Sequence, residues 1–205
     1  QTLHRAARIE DRFHAWRERR GRRRGLVPTV IPYTGYGAPG WARILGRVVL
    51  ARPNASAVQR AAKVRGWRSF VSIPTARERV VATIGGRTFE VVADRGGVVD
   101  ARVEITLSPG WHTVTLDVDR SDPVEAFVFV IDPAERLGLL SDIDDTVMVT
   151  ALPRPFLAAW NTFVLDEHAR RPVPGMAVLY DRIRRRYPGA PVTYLSTGAW
   201  NVAPT

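Results

Sequence analysis

The chain contains no cysteine, a single lysine (Lys63) and no long uninterrupted run of apolar residues. Without cysteine, the chain can form neither disulfides nor thiolate metal sites. No apolar stretch reaches the roughly 20 residues that a transmembrane helix needs. The four histidines are not spaced like metal ligands, and no Gly-x-Ser-x-Gly nucleophile elbow occurs. These absences argue against zinc-hydrolase and serine-hydrolase chemistry.

The net charge is +10 and the sequence pI is about 11.1, so anionic partners are favoured. Residues 1–24 hold nine arginines against three acids, which gives +6 (9 − 3). Apolar side chains recur there at helical spacing: Leu3, Ala6, Ile9, Phe13 and Trp16. A basic helix of this kind could lie on an anionic membrane surface, or it could pack on its own domain with solvated arginines. Nucleic-acid binding is disfavoured, because no recognition module accompanies the charge.

Residues 28–134 are predicted to be mostly β. Two β-prone segments, 80–84 and 88–92, flank Gly85-Gly86-Arg87, which is a hairpin signal. Further alternating segments and regular turns indicate a β-sandwich, interrupted by an amphipathic helix over 57–70. The predicted division is therefore a basic helical arm (1–27), a sandwich-like domain (28–134) and a third region (135–205).

The string from Gly35 to Gly40 matches the Gly-x-Gly-x-x-Gly dinucleotide fingerprint by letters alone. That fingerprint has physical content only where it follows a strand and opens a helix. Here Pro39 lies inside the string and a β-like run, 44–50, follows it. We predict glycines that serve turns, and no nucleotide cofactor.

The pentapeptide Asp142-Ile143-Asp144-Asp145-Thr146 follows a short apolar run and is the strongest chemical signal. Side chains at i and i+2 of a strand share a face, so Asp142 and Asp144 could reach one small site. A second β-prone segment, 191–198, ends in a hydroxyl pair and glycine, and a helical pattern over 175–187 lies between the two. Strand, helix and strand predict a parallel crossover. The alternative is an acidic turn that caps a strand.

The order Asp-x-Asp-x-Thr, crossover, then strand and Ser196 resembles the haloacid-dehalogenase-like phosphotransferases. The chain is more closely similar to the actin-patch-associated phosphatidate phosphatase family and its bacterial relatives. The matching residues include Ser141–Val147, Asn161-Thr162-Phe163, Pro174-Gly175-Met176, Leu179-Tyr180, Tyr194-Leu195-Ser196 and Trp200-Asn201, with Pro32–Gly37 upstream.

This resemblance implies an α+β chain: an N-terminal β-sandwich with a leading basic helix, then an incomplete α/β, Rossmann-like domain of the haloacid-dehalogenase type with parallel strands. It implies a Mg²⁺-dependent phosphatase that converts phosphatidate to diacylglycerol through an aspartyl-phosphate. Asp142 would be the nucleophile and Asp144 the acid and base, and both would hold Mg²⁺. Ser196, Thr197 and Gly198 would bind the phosphoryl group, with Thr146 and Asn161 in support.

The resemblance also implies a later lysine and acids beyond Thr205, so we expect a fragment that is inactive by itself. We expect a cytoplasmic protein, peripheral at the membrane. The alternative function is a non-catalytic module that binds a membrane or partner and carries a decayed phosphatase-like domain. Intact Asp142, Asp144 and Ser196 argue against decay.

Overall fold

A computed structural model describes residues 5–53, 73–142, 148–149 and 171–195. Helix α1 (Arg5–Arg23) agrees with the predicted basic helix. Its last turn packs on the following domain, since Gly21 is buried and a Cβ there would lie 2.6 Å from Leu50 Cδ1. In the same turn, Arg22 Nη2 lies 2.7 Å from Glu78 Oε2. The C-terminal end of α1 is thus fastened, while the Trp16 side chain upstream is 56% exposed.

Seven strands form the main sheet: β1 (Val27–Ala38), β2 (Trp41–Ala51), β3 (Arg79–Ile84), β4 (Arg87–Val92), β5 (Val98–Glu104), β6 (Gly110–Val118) and β7 (Val124–Val130). Their order across the sheet is β4-β3-β6-β7-β1-β2-β5. Neighbouring strands are antiparallel except β1 and β7, which run parallel with Gly35 opposite Val128. The β3–β4 hairpin was predicted correctly, and its two-residue turn has positive φ at Gly85 (54°) and Gly86 (73°).

This single mixed sheet curls into a nearly closed barrel, so the predicted sandwich of two packed sheets was wrong. The edge strands approach each other where Arg87 Nη1 on β4 donates to the carbonyl oxygen of Glu104 on β5 at 3.0 Å. One-sided burial, as in β3, where exposed and buried residues alternate, is compatible with a sandwich and with a barrel. The strand order that distinguishes them has no local sequence signal.

The core lies inside the barrel and consists of small branched side chains, among them Ile44, Val80, Ile84, Leu116 and Val128. Strand β7 alternates between buried and exposed residues, and Phe127 is 49% exposed. The outer face of this strand is therefore exposed, and its inner face belongs to the core. The predicted helix over 57–70 lies outside the described residues.

The glycine-rich string lies in the β1–β2 hairpin, so its predicted lack of a fingerprint context was correct. Gly40 occupies the turn with φ of 96°. Gly37, in contrast, lies within β1, beside a register shift between Tyr33 and Tyr36. A Cβ at Gly37 would lie 2.5 Å from the Trp41 carbonyl oxygen, so close backbone approach requires glycine there.

An ion pair on the outer face ties three adjacent strands together. Arg43 on β2 donates to Asp100 on β5 through Nε at 2.6 Å and Nη2 at 2.7 Å, and to the Tyr36 hydroxyl on β1 at 2.5 Å. The hydrogen bonds from Arg43 lower the pKa of Asp100. Because the pKa of Asp100 is lower in the folded than in the unfolded state, the ion pair stabilises the fold at pH values above the unfolded-state pKa. This stabilisation is lost as the pH falls through the folded-state pKa. Because both side chains are 39% exposed, we expect the ion pair to contribute at most about 1 kcal/mol to the free energy of unfolding.

After residue 135 the structure contains β8 (Leu139–Asp142), β9 (Met148–Val149), β10 (Arg171–Pro172), α2 (Met176–Arg186) and β11 (Val192–Leu195). The strands form two separate pairs, β10 with β9 antiparallel and β11 with β8 parallel. The predicted Rossmann-like α/β domain with parallel strands was therefore wrong: the described chain is mostly strand, its main sheet is mixed, and helices are few. Local periodicity identified a strand, a helix and a strand, but it does not determine the size of a sheet.

Candidate functional site

The region around Asp142 is built on the parallel pair β8 and β11. Leu139 lies opposite Val192, and Asp142 lies opposite Leu195. The Leu139 amide also donates to the Pro191 carbonyl oxygen at 2.9 Å, which holds the start of the pair. Both strands run in the same direction, so Asp142 and Leu195 lie at their shared carboxyl end. The Asp142 side chain is exposed there.

Asp142 is the one predicted site residue within the described ranges. Six others lie outside them: Asp144, Thr146, Asn161, Ser196, Thr197 and Gly198. In the sequence, Ser196 follows Leu195 directly and Asp144 comes two residues after Asp142. Their assignment to a common site stays a prediction.

Two residues that the sequence analysis did not assign to the site lie beside Asp142. Ser141 is 7% exposed, and its Oγ donates to the Asp142 carbonyl oxygen at 3.0 Å. The same Oγ is hydrogen-bonded to the Tyr180 hydroxyl on α2. Strand alternation points Ser141 away from the side chain of Asp142. The alternation in β8 and the helical spacing of Tyr180 indicate that both side chains face inward. Neither pattern indicates that Ser141 and Tyr180 are partners of each other.

Helix α2 has one narrow, half-buried stripe of side chains. Met176, Tyr180 and Ile183 are half-buried, whereas Leu179 and Tyr187, within the predicted helical pattern over 175–187, are 47% and 43% exposed. The Tyr180 ring meets the Tyr194 ring of β11 edge-on, with centroids 6.2 Å apart. The half-buried residues thus follow an i, i+4, i+7 line, and Tyr180 on this line contacts Ser141 of β8 and Tyr194 of β11.

Within the described ranges, Asp142 is the predicted Mg²⁺ ligand. Mg²⁺ prefers oxygen ligands and is commonly bound by one or two carboxylates while keeping several waters. The exposed Asp142 carboxylate at a strand end is a suitable ligand of this kind. Within the described ranges, no group of three or more His, Asp or Glu side chains could hold a metal ion. Asp142 thus fits as one ligand of a site whose other predicted contributor, Asp144, lies outside these ranges.

A basic surface occurs on the C-terminal half of α1 and just after it. A shallow groove of about 330 Å³ is lined by Trp16, Arg19, Arg20, Arg23 and Arg24. The Arg20 guanidinium lies 5.8 Å from the centre of the Trp16 ring, within cation–π range. Neither helix in the described ranges has a stretch long and apolar enough to cross a bilayer.

Residues 137–205 match the family profile described as "Phosphatidate phosphatase APP1, catalytic domain". Among solved structures, the chain is similar to XAC1771, "a novel carbohydrate acetylesterase from Xanthomonas citri", at 12% identity and a TM-score of 0.32. That similarity covers 57% of this chain and 20% of the esterase chain. The chain thus spans about a fifth of the length of the esterase. No curated protein matches the chain.

Proposed function

We propose that this chain is part of a phosphatase that acts on phosphatidate through an aspartyl-phosphate intermediate. The observation that carries the proposal is the parallel register of β8 and β11, which places Asp142 opposite the residue that precedes Ser196. The family match over 137–205, which includes both segments, supports phosphatidate phosphatase activity. Phosphatidate is the favoured substrate because of that match.

In the proposed reaction, an Asp142 carboxylate oxygen attacks phosphorus as the bond from phosphorus to the glycerol oxygen breaks. The carboxylic acid of Asp144 protonates the leaving oxygen, which yields diacylglycerol. The Asp144 carboxylate then removes a proton from water, and this water attacks the aspartyl-phosphate. The second step releases inorganic phosphate and restores Asp142.

Residues after β11 would bind the transferred group. The Ser196 hydroxyl would donate to a phosphoryl oxygen, and backbone N–H groups at Thr197 and Gly198 would assist. Such donors matter because catalysis of phosphoryl transfer is mostly positioning and charge stabilisation. Thr146 and Asn161 would support the surrounding loops.

Mg²⁺ would be held by the Asp142 carboxylate and the Asp144 backbone carbonyl. When bound, it would neutralise charge on the phosphoryl oxygens. The Asp142 carboxylate would attack from its position at the carboxyl end of β8.

The basic surface of α1 would dock the enzyme on anionic bilayers, where a phospholipid substrate is found. Its four arginines all have exposed side chains: Arg19, Arg20, Arg23 and Arg24. Each basic residue close to an anionic surface contributes roughly 1 kcal/mol. The enzyme would therefore be a peripheral cytoplasmic protein.

The natural full-length protein is expected to release inorganic phosphate and diacylglycerol from phosphatidate vesicles, and phosphate from soluble p-nitrophenyl phosphate. Both products can be measured directly, by phosphate assay and lipid chromatography. Vesicle binding without any phosphate release would contradict the proposal and favour a non-catalytic binding module.

The triple variant Arg19→Gln, Arg20→Gln, Arg23→Gln is expected to bind anionic vesicles on the order of 100-fold more weakly at low salt. Substitution is preferable to deleting residues 1–24, because Gly21 packs against Leu50 and deletion would expose the sheet. The measurement is vesicle cosedimentation at several salt concentrations, since screening should weaken the wild-type binding too.

A matched control removes the same charge from exposed arginines elsewhere: Arg52→Gln, Arg95→Gln, Arg136→Gln. Hydrolysis of p-nitrophenyl phosphate should stay within about twofold of wild type for both triple variants, since neither set touches the proposed site. Equal losses of vesicle binding in the two variants would show that α1 is not the docking surface and that binding depends only on the net charge of the protein.

A further inference from the structure

A chain of two hydrogen bonds runs from α2 to the backbone of Asp142. The Ser141 Oγ donates to the Asp142 carbonyl oxygen at 3.0 Å and is also hydrogen-bonded to the Tyr180 hydroxyl. A serine hydroxyl has one proton to donate. Because that proton is directed to Asp142, the Tyr180 hydroxyl must be the donor to Ser141. The direction of the chain is therefore Tyr180 to Ser141 to Asp142.

Tyr180 is held in place from two sides. It lies on the half-buried stripe of α2, and its ring meets the ring of Tyr194 on β11. Strand β11 in turn pairs with β8, the strand that contains Ser141 and Asp142. Tyr180 thus contacts both strands, through its hydroxyl to Ser141 and through its ring to Tyr194.

We infer that Tyr180 is a positioning residue for Asp142, acting through Ser141; the inference rests on the proposed phosphatase function. The carbonyl that accepts the bond belongs to the peptide linking Asp142 to the next residue, where β8 ends. Fixing this peptide restricts rotation about the Asp142 backbone. It thereby restricts the directions that the Asp142 carboxylate can take. Small errors in the placement of a nucleophile are costly, because attack requires near-contact geometry.

The first test is Tyr180→Phe in the natural full-length protein, assayed with p-nitrophenyl phosphate. We expect kcat to fall about 5- to 10-fold, the fold-change that one neutral hydrogen bond supports, with KM within about twofold of wild type. The matched control is Tyr194→Phe, which removes the same atom from the neighbouring, half-exposed ring and keeps the ring contact. Its kcat should equal that of wild type.

A double-mutant cycle separates positioning from general support. Because Tyr180 acts through Ser141, the variant Tyr180→Phe, Ser141→Ala should have the same kcat as Ser141→Ala alone. Ser141→Thr keeps the hydroxyl and should retain most of the wild-type kcat. Independent, multiplicative losses in the double variant would overturn the inference, and so would a Tyr180→Phe kcat equal to that of Tyr194→Phe.

Three further outcomes are decisive. If Tyr180→Phe fails to fold, judged by circular dichroism, the comparison of Ser141→Ala with Ser141→Thr decides, and equal kcat values overturn the inference. If the natural protein hydrolyses neither phosphatidate nor p-nitrophenyl phosphate, the proposed function fails and the positioning role fails with it. An active wild type with unaffected Tyr180 and Ser141 variants would overturn the positioning role alone.

Discussion

The variant Asp142→Asn is expected to lose phosphate release, with a kcat reduced on the order of 10³-fold or more. The carboxylate is the proposed nucleophile, and an amide cannot form the acyl phosphate. Because Asp142 is exposed at the end of β8 and Asn is nearly isosteric, circular dichroism and the thermal midpoint should change little. Radiolabelled phosphate trapped by acid quenching should appear on wild type, be released by hydroxylamine, and be absent from the variant.

Asp181→Asn is the matched control for this change. Asp181 is an exposed acid within the same family-matched segment, on α2, and its Oδ2 lies 2.9 Å from Arg185 Nε. An exposed i, i+4 pair contributes only about 0.3–0.5 kcal/mol, so activity should remain near wild type. Near-normal turnover by Asp142→Asn, with labelling intact, would require another nucleophile and end the covalent mechanism as proposed.

Removal of Mg²⁺ with EDTA is expected to lower phosphate release at least about a hundredfold, since a metal at such a site contributes several kcal/mol. Added Mg²⁺ should restore activity. Ca²⁺ should restore it poorly, because Ca²⁺ takes more ligands at longer distances. Calorimetric titration of the metal-free protein should show Mg²⁺ binding that Asp142→Asn weakens, which is a measurement independent of turnover.

EDTA saturated with Mg²⁺ is the control, and it should not inhibit. The thermal midpoint of the chelated protein should also stay close to that of the untreated protein, which would separate loss of the metal from loss of the fold. Full activity after exhaustive chelation would remove Mg²⁺ from the proposal, and it would leave the nucleophile assignment to the labelling experiment.

Features with a local cause could be predicted from the sequence. The Gly85-Gly86 turn selects a two-residue hairpin, and α2 lies between Gly175, with φ of 86°, and Pro188. Helix α1 and the strand that leads to Asp142 likewise follow from short-range patterns.

Features that depend on distant partners could not. The parallel contact of β1 with β7 joins residues 93 apart (128 − 35), and the Ser141–Tyr180 bond spans 39 positions. The local sequence pattern of β1 does not indicate that β7 is its neighbour, and the pattern around Ser141 does not indicate a bond to Tyr180. The wrong Rossmann-like prediction has the same origin, because strand, helix and strand patterns reveal crossovers but not how many strands a sheet contains.

The parallel β1–β7 contact also has a consequence for the order of assembly. Strand β1 can pair early with β2 across the adjacent Gly40 turn, but its other edge must wait for β7. At about 5–20 residues per second, synthesis of the intervening chain takes roughly 5–20 seconds. During that time β1 has an open edge, and edges of this kind are where chains mispair. Because β1 and β7 must meet, the barrel is therefore expected to close only after β7 has been synthesised.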